Sequence, residues 1–84
     1  MKNKEALKKQ IIYRSLHRGS KEMDLLIGGF VKKNINLFND KDLLDLNVFV
    51  ETDDEILKEV FFSKNNQNLI RENEVLKMFK KFRI

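Results

Sequence analysis

Apolar residues return at every third or fourth position along most of this chain, and no proline interrupts them. That period places them on one side of an α-helix. A half-buried strand would alternate apolar and polar residues, a pattern missing here. Only three glycines are present, so few positions break a helix from within. The expected fold is all-α, a compact five-helix bundle. At 84 residues it is read as a single domain, 1–84, near the size at which one core is marginally sufficient. Seven Phe and one Tyr give that core large side chains to bury.

The first helix is expected from about Lys4 to His17, with Leu7 and Ile11 on one side and Ile12, Tyr13 and Leu16 further round. Arg14, His17 and Arg18 fall in its last turn, where positive charge favours the helix dipole. Gly19 then stands where a helix often ends in a left-handed residue. Ser20 is a natural N-cap for the next helix, with Glu22 in its first turn. That second helix, about Lys21 to Ile35, carries the cleanest stripe: Met23, Leu26, Ile27 and Phe30, with Val31 at the margin. Inside it, Gly28 and Gly29 each cost roughly 1 kcal/mol against Ala, which points to close approach of another helix.

Asn36 to Asn39 read as a polar connection, and Asn39 or Asp40 caps a third helix through about Val50. Leu43, Leu46 and Val50 form its main face, Leu44 and Val48 widen it, and Phe49 points elsewhere. A helix so apolar all round is expected to be buried between neighbours. Thr52-Asp53-Asp54-Glu55 matches a capping box. The fourth helix then faces the core with Ile56, Leu57, Val60 and Phe61. After a polar loop from Ser63 to Asn68, a fifth helix from about Leu69 to Phe82 turns Val75, Leu76, Phe79 and Phe82 inward. Lys77, Lys80, Lys81 and Arg83 crowd its end.

This inventory closes off most chemistry. With no cysteine there is no disulfide, thiolate nucleophile or cysteine-ligated zinc. His17 is the only histidine and lacks a second nitrogen or sulfur ligand. The run Asp40 to Asp45 lacks the turn glycine of a calcium loop, and Gly28-Gly29 does not join a strand to a helix as a phosphate cradle would. Ser15, Ser20 and Ser63 with a single His make no nucleophile-base-orienter set. No catalytic residue and no metal are expected. No apolar run is long enough to span a bilayer, so no membrane insertion is expected. Met1 to Glu5 lacks the apolar stretch of a signal peptide, and a transit peptide would be longer and richer in Arg and Ser. The expected compartment is cytoplasmic, and the expected free state a monomer.

The net charge of +4 and sequence pI near 9.4 keep nucleic acid among the candidate partners. A small basic helical nucleic-acid binder would rely on Lys77, Lys80 and Lys81 and weaken steeply with salt. The aromatics of that last helix stand at core spacing, however, so a solvated, dipole-matched helix end is the favoured reading. The same charge suits acidic protein surfaces or anionic cofactors. On spacing alone, Arg18-Gly19-Ser20-Lys21-Glu22 is a capped turn between two helices.

Arg14-Ser15 followed by His17-Arg18-Gly19-Ser20-Lys21-Glu22-Met23-Asp24-Leu25-Leu26 resembles the Arg-Gly-x-x-Glu signature of the succinate dehydrogenase FAD assembly factor family. A third helix ending at Glu51, the Thr52-Asp53-Asp54 start and Leu57 fall at the family's spacing, so the likeness is strongest over 11–62. Many members carry proline where Glu55 stands and an aromatic where Leu16 stands; the last helix matches by pattern. The resemblance implies a five-helix domain that binds the flavoprotein subunit of succinate dehydrogenase, with that of fumarate reductase a second candidate. It also implies that the chain promotes covalent attachment of FAD to a histidine of that subunit. FAD is then carried by the partner, none is bound stably by this chain, and the bond-forming chemistry belongs to the flavin and flavoprotein. A flavin transferase in its own right would need a reactive group this sequence lacks. By the same resemblance Arg18 and Glu22 form a charge-assisted pair or reach the partner, and a bare Gly19 lets the backbone approach. Arg14 and Asp24 flank the contact, and His17 and Lys21 lie at its rim.

Overall fold

Ser20 starts the helix with the most buried residues. Its extended backbone and its hydroxyl, which accepts from the Met23 N–H at 3.2 Å, satisfy an otherwise orphaned donor. A computed structural model describes residues 4–63 and 73–82. Five α-helices follow in order: α1 (Lys4–Leu16), α2 (Lys21–Asn34), α3 (Asp40–Val50), α4 (Asp54–Lys58) and α5 (Glu74–Lys81). A 3-10 turn, Ile35–Leu37, prolongs α2, and a π turn, Glu59–Ser63, prolongs α4. The described residues contain no strand, as the missing alternation implies. The expected loop from Ser63 to Asn68 and the expected first turn of the last helix from Leu69 lie wholly or mostly outside the described residues, as does Arg83. Within them, α5 begins after Asn73, whose side chain accepts from the Leu76 N–H at 2.8 Å.

α2 lies at the centre because its stripe is the most complete. Met23, Leu26, Ile27, Phe30 and Val31 are all buried, while Leu25 on the opposite side is exposed. α1 crosses α2 at Gly28, where a Cβ would stand 2.7 Å from Leu16 Cδ2 and 3.5 Å from the Ser15 carbonyl. The close approach expected of the glycine pair is therefore real at Gly28. Ser15, fully buried, tolerates this contact because its hydroxyl donates to the Ile12 carbonyl at 2.7 Å within its own helix. Gly29 is different. A Cβ there would meet only Phe82 Cζ, at an ordinary 3.6 Å. Gly29→Ala is accordingly expected to stabilise the chain by about 0.5–1 kcal/mol, through helix propensity alone. A rise in the urea midpoint at unchanged slope checks this.

Four aromatic rings close the core around Phe30. Its ring lies 5.5 Å from Phe49, 5.3 Å from Phe79 and 5.5 Å from Phe82, all tilted or edge-on. Phe49 meets Phe79 at 4.8 Å and Phe61 meets Phe79 at 5.1 Å. Such edge-to-face pairs add to the area they bury.

Two expectations fail in α3 and one beside it. Phe49 points inward, whereas Leu44 and Val48 are 52% and 62% exposed. The buried arc of α3 widens past Leu46 towards Phe49, because α5 brings Phe79 to that side, so α3 is not buried all round. Phe38, inside the segment read as a polar connection, belongs to the core, since the 3-10 turn folds it back. The capping box also fails. Asp53, with no side-chain cap bond, precedes α4, and the Thr52 hydroxyl instead donates to the Val48 carbonyl at 3.0 Å. Thr52 thus closes the end of α3 rather than opening α4. Asn39, one of the two caps foreseen for α3, accepts from the Asp42 N–H at 2.8 Å.

Candidate functional site

The turn between α1 and α2 rests on the corner between α3 and α4. Four residues connect the first pair, and their backbone is set by Gly19, whose φ of 104° is one that side-chain-bearing residues rarely adopt. No heavy atom lies within 4 Å of the place a Cβ would take. Gly19 is needed for its backbone angle, and the space above it is open.

His17 and Arg18 leave α1 in different directions. His17 is exposed; its Nδ1–H donates to the Tyr13 carbonyl at 2.7 Å, and its ring stacks on Tyr13 at 4.0 Å. Arg18 turns inward, with a side chain only 8% exposed. Its Nε donates to Asp54 Oδ1 at 2.8 Å, and its Nη2 stands 2.8 Å from the same oxygen in an ion pair. Nη2 also donates to the Thr52 carbonyl at 2.5 Å, and Nη1 donates to the Val50 carbonyl. The last carbonyls of a helix have no partner within it and carry its negative dipole end. Arg18 supplies both the donors and the positive charge at the end of α3. Its own backbone N–H donates to Asp24 Oδ1 at 2.6 Å, in the first turn of α2.

This placement corrects one expectation. Arg18 does not pair with Glu22 across the turn, because its side chain is taken up by Asp54 while Glu22 stays exposed on α2. Asp24, also expected among the contact residues, is half-buried and holds the turn from inside. Arg14 reaches α3, with Nη1 at 2.9 Å from Glu51 Oε2 and 3.5 Å from Asn47 Oδ1. Both partners of that ion pair are well exposed, so it contributes less than about 1 kcal/mol. His17, Gly19, Lys21 and Glu22 remain as the exposed members of the expected set.

An open cleft runs beside the turn, lined by His17, Arg18, Glu51, Thr52, Asp53, Asp54 and Glu55. Its acidic wall was read from the sequence as a capping box and not as part of the site. Three carboxylates in succession, Asp53, Asp54 and Glu55, are the only local signal, and it does not say which one meets Arg18. Among the described residues no group of three His, Asp or Glu is placed to hold a metal ion, and no helix is long and apolar enough to cross a membrane. The corner offers exposed charge on a fixed backbone, an arrangement suited to recognising a polar protein surface.

The family model described as "Flavinator of succinate dehydrogenase" matches residues 9–83. The chain belongs to this family. The match runs well beyond 11–62 and takes in α5, which the sequence related to the family by pattern alone. Among curated proteins, the chain is 34% identical over 62 residues to the FAD assembly factor SdhE of Acetobacter pasteurianus, covering 74% of this chain and 57% of that protein. It is likewise 34% identical over 74 residues to the mitochondrial succinate dehydrogenase assembly factor 2 of Dictyostelium discoideum, covering 88% of this chain and 52% of that protein. The chain thus spans just over half the length of these relatives, both of which are named as assembly factors. No solved structure matches the chain significantly.

Proposed function

We propose that this chain is an assembly factor that binds the flavoprotein subunit of succinate dehydrogenase and promotes covalent attachment of FAD to it. Membership of the flavinator family over residues 9–83 carries this reading. The corner supports it, since a rigid turn presents His17, Gly19, Lys21 and Glu22 to solvent without committing them to the core. On this reading the chain is a chaperone and not a transferase. FAD stays with the partner, the flavoprotein of fumarate reductase is a second client, and a cytoplasmic monomer meets the immature subunit. The nucleic-acid alternative gains nothing from α5, whose Val75, Leu76 and Phe79 are buried in the core.

Co-expression of the flavoprotein subunit with this chain, with its Gly19→Arg variant and with an empty vector tests the reading. Covalent flavin is read by in-gel fluorescence after denaturation. The wild-type chain is expected to raise flavinylation well above the empty vector. Gly19→Arg is expected to lose most of that gain, because it strains a backbone at positive φ, at a cost of order 1–3 kcal/mol, and fills the open space over the turn. Flavinylation no higher than with the empty vector, with no complex on co-purification, rejects the assembly role.

A further inference from the structure

We propose that Arg18 acts as a positioning residue rather than a partner contact, and that Asp54 is the second half of the device: together they lock the Gly19 turn in the shape a partner docks on. This rests on the docking role proposed above for the corner. The observation behind it is the direction and saturation of the guanidinium. It makes three hydrogen bonds and an ion pair, all to the α3–α4 corner, with 8% of its side chain exposed. Reaching a partner would mean breaking these bonds, returning the Val50 carbonyl to the unpaired state of a helix end and taking this donor from the Thr52 carbonyl. A partly buried arginine committed in this way is a poor candidate for a new contact and a good one for a hinge pin.

The pin holds the turn from two sides. The Arg18 side chain is fixed by Asp54 at the start of α4, and its backbone N–H by Asp24 at the start of α2. Gly19 follows directly, so a residue with a left-handed backbone hangs from a residue fixed at both ends. His17, on the other side of Arg18, is held by the Tyr13 carbonyl and the stacked Tyr13 ring. The exposed groups at the corner therefore stand on a preorganised frame, and little ordering remains to be done on binding. If the frame loosens, only the fraction of molecules with the correct turn binds, and apparent affinity falls by that fraction.

The two roles for Arg18 give opposite results when Asp54 is changed. In a positioning role, Asp54→Asn removes the charge that fixes Arg18 and weakens binding. In a contact role, the same change frees the guanidinium, so binding is kept or improved. The experiment uses the full chain and the purified, non-flavinylated flavoprotein subunit of succinate dehydrogenase, with affinity from calorimetry and amide exchange followed at residues 17–22. Each variant is first confirmed folded by circular dichroism. Asp54→Asn is expected to weaken binding about tenfold, if the competent turn falls to about a tenth of the population, and to speed exchange of the Arg18 amide. Asp54→Glu, which keeps the carboxylate, should recover part of both. Glu22→Gln should weaken binding with exchange unchanged, as befits an exposed contact.

Wild-type affinity in Asp54→Asn overturns the proposal, as does any tightening. Should Asp54→Asn fail to fold, Arg18→Lys replaces it. It keeps the charge, loses the forked geometry, and must weaken binding and speed exchange in the same way. If the wild-type chain binds no flavoprotein, the assembly role fails by itself and the exchange arm still decides the lock. Faster exchange at residues 17–22 in Asp54→Asn then supports it, and unchanged exchange rejects it.

Discussion

An Arg18→Met chain is expected to unfold about 3 kcal/mol more easily than the wild type. The methionine replaces the aliphatic stem but leaves Asp54, whose side chain is 25% exposed, without its cation. It also leaves the Val50 and Thr52 carbonyls without the donors that closed α3. Stranding one partner of a buried pair typically costs about 3–5 kcal/mol; the partial exposure of Asp54 puts this case at the lower end. Arg14 provides the control, since its pair with Glu51 is exposed on both sides and Arg14→Met should cost less than about 1 kcal/mol. Urea denaturation followed by far-UV circular dichroism separates the two. In the double variant Arg18→Met with Asp54→Asn, the losses should fall short of additivity by about 1–2 kcal/mol, the coupling expected of groups in direct contact. Additive losses would mean that the two side chains do not work together.

The second large effect lies in the core. Phe30→Ala is expected to cost about 4 kcal/mol, because the ring touches Phe49, Phe79 and Phe82 and its removal leaves a void between α2, α3 and α5. A chain of this size has a total stability of roughly 4–12 kcal/mol, so the variant should stand at the edge of unfolding at 37 °C. Its thermal transition should broaden and fall by many degrees. Leu25→Ala, on the exposed side of the same helix, should change stability by no more than about 0.5 kcal/mol. Comparable losses in the two would show that α2 does not turn Phe30 to the core.

The helices were legible in the sequence wherever the deciding groups lie within about four residues of each other. Ser20 caps Met23 and Asn39 caps Asp42 through bonds three residues long. The α2 stripe needs only the helical period to show its buried face. Thr52 marks where this kind of reasoning stops. Its local pattern fits a capping box, yet its hydroxyl had a competing acceptor one turn back, the Val48 carbonyl. The bend after α3, pinned by Arg18, settled the competition. Phe49 and Phe38 are the same lesson in packing. Each has a local polar or off-face reading, and each is buried because a distant element brings apolar surface to it.

The candidate site divides along the same line. Lys21, Glu22 and His17 are exposed, and Gly19 takes the left-handed backbone, as a short charged turn between two apolar helices requires. Arg18 looked like one more exposed charge, because its neighbours are polar and its partner lies 36 residues away. A helical period and a cap are local properties, so the sequence alone determined five helices, their principal inward faces and a charged glycine turn. Which of Asp53, Asp54 and Glu55 would meet Arg18 depended on where α1 ends and α4 begins in space. Only the packing of α1 across α2 and α3 decided that, since an ion pair forms between groups brought within a few ångströms, however far apart they stand in the chain.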